Sequence, residues 1–303
     1  MKKISNNRLH SSEILTTFAK NVLHPMRARP LTCILLLLCG TILSAQPLES
    51  TRFEERSLSL GGGYTNMLDT YLSPLRYGGA HVSLLGECFS QTAVPNERWF
   101  AQSLFALHGD YATPRTGNGL TVGGMADYSY TYYYRLPLKS KQWIFYAGPQ
   151  GQLRIGGIYN LRNSNNPAQL KLGANLTASA MAKYAFTLWD TPMSVRLQAD
   201  LPLLGLAFGP DYGQSYYEIF YLGQGKGCVH VTSLHNNLSL RANANYDVQL
   251  KSCTLRLTLA NDLYQWTLGK QQYRMFTHTI MLGCVKNLYR VVRDEEAKMF
   301  IPY

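Results

Sequence analysis

The chain has 303 residues, 46% of them hydrophobic and 12% aromatic, with 29 Lys and Arg against 18 Asp and Glu for a formal net charge of +11. Six of the basic residues and one acidic residue precede Gln46, which leaves 23 of the 29 basic and 17 of the 18 acidic residues in the remainder. These are scattered rather than clustered, so nucleic-acid binding has little support.

From the amino terminus, Arg27 and Arg29 precede the apolar run Leu31–Leu38, broken only by Thr32 and Cys33 and continued through Gly40–Leu43 to Ser44-Ala45-Gln46. A basic start, an apolar middle and a small-residue end are the layout of a secretory signal peptide, here cleaved after Ala45. The run is too short for a comfortable membrane span of about 20 residues. Met26 is the natural start of such a signal, which makes residues 1–25 an upstream extension. A long leader from Met1 gives the same mature chain. Lipidation at Cys39 is the weaker reading, because Leu38 stands where a small residue belongs.

The rest contains no apolar run of helical spanning length, yet it alternates apolar and polar residues over unusual lengths. Side chains on a strand point to opposite faces with a period of two. From Leu120 to Arg135 one face is Leu120, Val122, Gly124, Ala126 and four tyrosines, while the other holds Thr121, Asp127, Ser129, Thr131 and Arg135. Trp143–Gly156 repeats the pattern, with Gln150, Gln152 and Arg154 on the polar face. Ordinary strands run about 5–6 residues; one crossing a bilayer at a tilt needs roughly 9–11. Period-two segments parted by turn-rich ones predict ten strands, near 56–66, 79–90, 99–111, 119–135, 142–157, 169–187, 193–207, 237–250, 254–265 and 273–288.

The fold expected is therefore all-β: an antiparallel up-and-down transmembrane β-barrel of about ten strands over residues 46–291, followed by a polar tail at 292–303. That tail leaves twelve strands as the alternative count. With both ends of the barrel on one side, 91–98, 136–141, 188–192 and 251–253 are expected as short turns. The segments 67–78, 158–168 and 208–236 are expected as long loops on the other side, with 112–118 and 266–272 modest. Trp99, Trp143 and Trp189 fall at one end and Trp266 at the other, as two aromatic girdles require.

A family resemblance follows from Gly63-Tyr64-Thr65-Asn66-Met67-Leu68-Asp69-Thr70-Tyr71-Leu72-Ser73-Pro74-Leu75-Arg76-Tyr77-Gly78-Gly79. It resembles the first hairpin of Bacteroidota outer-membrane β-barrel proteins of unknown function, and Tyr146-Ala147-Gly148-Pro149 and Ser44-Ala45-Gln46 are similar in style. The resemblance implies an outer-membrane location and a barrel, and no activity. Barrels of this kind usually finish on the last strand with an aromatic residue, whereas here a polar tail begins at Arg293-Asp294-Glu295-Glu296.

Inward-facing charges are the candidate functional set: Asp127, Arg135, Arg154, Lys171, Lys183, Arg196, Asp200, Arg241, Asp247, Arg256 and Asp262. Small barrels are nearly filled by side chains, so these residues first suggest salt-bridged packing and second a narrow polar channel with a cationic bias. A barrel enzyme acting on lipid acyl chains needs a lipid-facing His–Ser pair. His81 and Ser83 share a face, but Val82 and Leu84 claim the lipid side. His278 lies between Thr277 and Thr279 with no orienting carboxylate nearby in sequence. A secreted soluble β-sheet binding protein is the remaining alternative. The segment Pro210–Asn236, rich in Tyr and Gly, has the composition of a recognition loop, and of an ordinary variable one.

Of Cys88, Cys228, Cys253 and Cys284, one pair can be argued from register: a turn near 268–269 opposes residues summing to about 537, which sets Cys253 against Cys284 within disulfide reach. No Cys-x-x-Cys or zinc spacing is present, so no metal and no cofactor is expected. The expected partners are outer-membrane lipid and the barrel-assembly machinery.

Overall fold

The computed structural model describes residues 53–92, 98–138, 140, 142–211, 213–250 and 253–288. The expected signal segment 1–45 and tail 292–303 lie outside the described residues.

Strands β1 (Glu54–Asp69), β2 (Ser73–Gln91), β3 (Trp99–Pro114), β4 (Thr121–Arg135), β5 (Trp143–Asn160), β6 (Ala168–Leu188) and β7 (Thr191–Phe208) pair in sequence order, each antiparallel to the next. After a short helix α1 (Tyr216–Phe220) come β8 (Val229–Ser233), β9 (Leu240–Gln249), β10 (Thr254–Leu268) and β11 (Gln271–Leu288). β11 pairs back onto β1, from Glu54↔Leu288 to Asp69↔Tyr273, and closes the sheet. The eleven segments occupy ten positions, because β8 and β9 both pair with β7 and form one interrupted strand. Pairs with β8 sum to 437 (Leu204↔Ser233) and those with β9 to 441 (Asp200↔Arg241), so the break inserts four residues. The architecture is the ten-strand antiparallel barrel expected from the alternation. Closure leaves no edge strand with free backbone donors.

Closure of the first strand onto the last depends on glycine. At Gly61 a Cβ would lie 2.0 Å from the Ile280 carbonyl oxygen, and at Gly63 it would lie 1.8 Å from that of His278. Both positions face inward and lie so close to the β11 backbone that only a residue without a side chain fits.

The loops depart from expectation. Residues 67–78 form no long loop: β1 runs to Asp69, and Thr70–Leu72 turn directly into β2 because Asp69 caps the bend, its Oδ1 accepting from the Tyr71 amide at 3.1 Å. The 266–272 connection is a two-residue turn, Gly269-Lys270, with φ of 53° and 65°. Residues 208–236 hold α1 and β8 rather than an unbroken loop. Loop lengths therefore do not alternate between the two ends. The ladder extends further at this end than the polar and Gly-rich composition suggested.

The tryptophans also divide. Trp143 and Trp189 are exposed at the end where β1 begins and β11 ends, and Trp99 is half-buried there. Trp266 is no girdle residue: it points inward and is 3% exposed, packed among Tyr264, Leu268, Tyr273 and Met275.

Candidate functional site

Alternation turns the molecule inside out relative to a soluble protein. Outward positions carry Leu58, Leu60, Val82, Leu153, Ile155, Ile280 and Leu282, all exposed, while polar residues fill the interior. Nine of the eleven expected inward charges are buried; Arg135 and Lys183 are half-buried. The interior is stratified along the barrel axis.

At the end bearing the α1 loop, an apolar cap closes the lumen with Met67, Tyr71, Leu72, Trp266, Leu268 and Met275 among its members. The turn at Thr70–Leu72 supplies two of these. Beneath it Arg154 donates two parallel bonds to Asp127, Nε to Oδ1 at 2.7 Å and Nη2 to Oδ2 at 2.8 Å. Its guanidinium also lies 3.2 Å from the centroid of the Tyr264 ring. Arg241 donates from Nε to Asp262 at 3.2 Å and from Nη2 to the Tyr264 hydroxyl at 3.1 Å. Lys171 pairs with Asp69 at 2.8 Å and sits 3.7 Å over Tyr273. His81 bonds Asp110 at 2.8 Å and stacks on His108, whose Nε2 is 3.3 Å from Asp127.

A second charged layer lies toward the end where β1 begins and β11 ends. Arg256 donates Nε and Nη2 to Asp247 at 2.6 and 2.8 Å, Nη1 to Glu87 at 2.7 Å and Nη2 to Glu55 at 2.5 Å. Arg196 bridges the same Glu55 and Glu87, and Lys183 stands 3.9 Å from Glu55. Gln102, Gln198, Ser179 and Tyr133 extend this layer: Tyr133 and Ser179 hydroxyls meet at 2.6 Å, and Ser179 donates to Asp200 at 2.5 Å. Phe89, Phe100, Tyr133, Tyr146 and Met181 then close this end. Planar guanidinium forks suit such multidentate sharing better than ammonium groups do.

Glu55, Glu87, Asp69 and Asp110 complete these clusters and were absent from the expected set. Glu55 and Asp69 lie just outside the 56–66 strand read from sequence. Glu87 shares the parity of His81 and Ser83 and could have been found from it. With them included, eight buried carboxylates face five buried cations among the described residues. The expected cationic bias is thereby corrected, because the first three strands bring acids to an interior whose cations come from β5–β10.

His81 and Ser83 are buried inside the barrel, 2% and 4% exposed, and cannot meet lipid. His278 does face outward, and its Nδ1 is 2.6 Å from Asn261 Oδ1, so its orienting partner is an amide rather than a carboxylate. Its outward neighbours on β11 are Phe276 and Ile280, and its partner on β1 is Tyr64, so no serine stands beside it. The Cys253–Cys284 pairing is overturned: the hairpin turns at Gly269-Lys270, pairs sum to 539, and Cys284 stands opposite Leu255. Cys88, Cys228, Cys253 and Cys284 are all free. Among the described residues no group of three or more His, Cys, Asp or Glu is placed to hold a metal ion.

A family model for proteins of unknown function, DUF3316, matches residues 30–295. The chain belongs to the DUF3316 family. Its barrel is similar in shape to the transport unit of the autotransporter AIDA-I from Escherichia coli, at 9% identity and a TM-score of 0.44, covering 84% of this chain and 96% of that one. For the outer membrane protease OmpT from Escherichia coli the figures are 6% and 0.43, over 81% and 99%. For an outer membrane channel from Pseudomonas putida F1 they are 9% and 0.32, over 80% and 97%. No curated protein matches this DUF3316 chain.

Proposed function

We propose that this DUF3316 protein is an outer-membrane β-barrel of the Bacteroidota type, exported by its amino-terminal signal and inserted by the barrel-assembly machinery. Within that class it acts as a filled structural or surface-presenting barrel rather than a narrow channel. Membrane residence is supported by the exposed apolar wall, since soluble monomers rarely expose apolar patches beyond a few hundred Å2. The same inversion disfavours a secreted soluble binding protein.

The observation that carries the closed lumen is the Arg256 fork, which binds Asp247, Glu87 and Glu55 at once and spans the interior between β9, β2 and β1. Charge-assisted bonds of this kind hold the walls together, and an ion that passed the cap at either end would still have to break them to cross. Planar-bilayer recording tests the reading. The purified barrel, verified as folded by faster gel migration before boiling than after, is expected to give no unitary conductance steps. Reproducible steps would establish a channel instead.

A further inference from the structure

The outward wall is largely apolar through its middle, and Asn261 on β10 and His278 on β11 interrupt it side by side. Both are exposed, they stand opposite each other in the ladder, and they share a 2.6 Å hydrogen bond. Around them the outward face is Phe276, Ile280, Leu259 and Leu263, with Tyr64 of β1 opposite His278 and Ala242 of β9 opposite Asn261. The polar rim of β11 resumes at Arg274, four residues toward the α1 end. At about 3.4 Å per residue and a tilt near 40° the pair lies roughly 10 Å inside the apolar band.

Within hydrocarbon, polar groups seek partners on neighbouring proteins. The pair satisfies itself only in part. If His278 Nδ1–H donates to Asn261 Oδ1, the pair still offers Nε2 as an acceptor and the amide Nδ2–H as a donor. If the amide is turned, Nε2–H becomes the donor and Oδ1 the acceptor. Either way the wall presents one donor and one acceptor side by side.

We propose that this patch is the contact between two copies of the chain, related by a two-fold axis along the membrane normal. A two-fold apposes a surface to itself, so the Asn261–His278 pair meets its own counterpart, donor to acceptor, twice. Leu259, Leu263, Phe276 and Ile280 flank the pair along β10 and β11 and, with Tyr64 beside His278, surround this contact. A lipid tail offers no such groups, and a different partner protein would need matching ones; the patch itself already supplies a match.

The inference rests on the membrane-barrel reading above, and the experiment separates the two. Full-length protein expressed in a Gram-negative host is extracted with its lipid into polymer-bounded nanodiscs, and its mass is measured by native mass spectrometry. The wild type is expected at twice the chain mass. Asn261→Leu/His278→Leu is expected at one chain mass with unchanged heat-dependent gel migration. The exchange Asn261→His/His278→Asn restores one donor and one acceptor and is expected to return the dimer. A folded wild-type monomer, or a double-leucine variant that stays dimeric, would overturn the interface. Loss of heat-dependent migration in the wild type would overturn the membrane barrel itself.

Discussion

Arg256 and Glu55 are 201 residues apart in sequence and 2.5 Å apart in the barrel, with β11 lying between their strands. Removing Arg256 leaves Glu55 to Arg196 and Lys183 and Glu87 to Arg196, and takes from Asp247 the one cation it pairs with among the described residues. Arg256→Met is therefore expected to cost about 3–5 kcal/mol, the range for breaking a buried ion cluster on one side. Urea titration of tryptophan fluorescence in lipid vesicles measures it. Adding Glu55→Gln should recover part of the loss, and a double variant no more stable than the single one would remove the pair from the account.

The tight turn at Trp189-Asp190 holds both residues at positive φ, 48° and 59°. Two-residue hairpins of this shape favour Asn-Gly or Asp-Gly. Asp190→Gly is expected to stabilise the barrel by about 0.5–1 kcal/mol by relieving the left-handed strain on a non-glycine residue. The same urea titration reports the gain, and a loss of stability would contradict it.

Tyr216 on α1 accepts the Leu170 amide at 2.6 Å, and Tyr71 donates to the Gln214 carbonyl at 2.9 Å. Together they tie the segment after β7 onto the barrel mouth. Burial, reinforced by the charge of Asp69, pushes the Tyr71 phenol up from 10.0 to about 12. A folded-state value above the unfolded one keeps this tie intact below pH 10 and weakens it as pH rises toward about 12. Limited proteolysis at Lys226 should be flat through neutral pH and accelerate across that window. Tyr71→Phe should abolish the pH response and raise cleavage throughout.

Free thiols at Cys88, Cys228, Cys253 and Cys284 lead to a simple count. Denatured mature protein, never exposed to reductant, should titrate four thiols and run identically with and without reductant. A count of two would bring back a disulfide.

How much of this was legible in the sequence varies along the chain. From β4 to β7, and in β9 and β10, strict alternation exposed both strand and facing, so Asp127, Arg154, Lys171, Arg196 and Arg256 could be placed inside before any coordinates. β1 was harder, because its inward positions include Gly61 and Gly63, which carry no side chain to alternate. Its boundary was drawn short, and Glu55 and Asp69 were lost with it. The interrupted eighth strand was invisible for a different reason: Val229–Ser233 is five residues long and follows a Gly-rich stretch, so nothing local distinguishes it from a loop. Register carries the remaining lesson. A turn misplaced by one residue shifts the opposing sum by two, which is how Cys284 came to face Leu255 instead of Cys253.

The distribution of the lower charged layer along the chain also bears on how the barrel is assembled. Glu55 and Glu87 enter with the first two strands, whereas Lys183, Arg196 and Arg256 arrive only with β6, β7 and β10. A barrel built from its first strands onward thus carries two uncompensated carboxylates on its inner wall until the second half of the chain is in place. Those groups stay hydrated while they wait, because burying them unpaired is costly. The interior is expected to dry only in the last steps, when β10 brings the final guanidinium and β11 reaches β1 across Gly61 and Gly63.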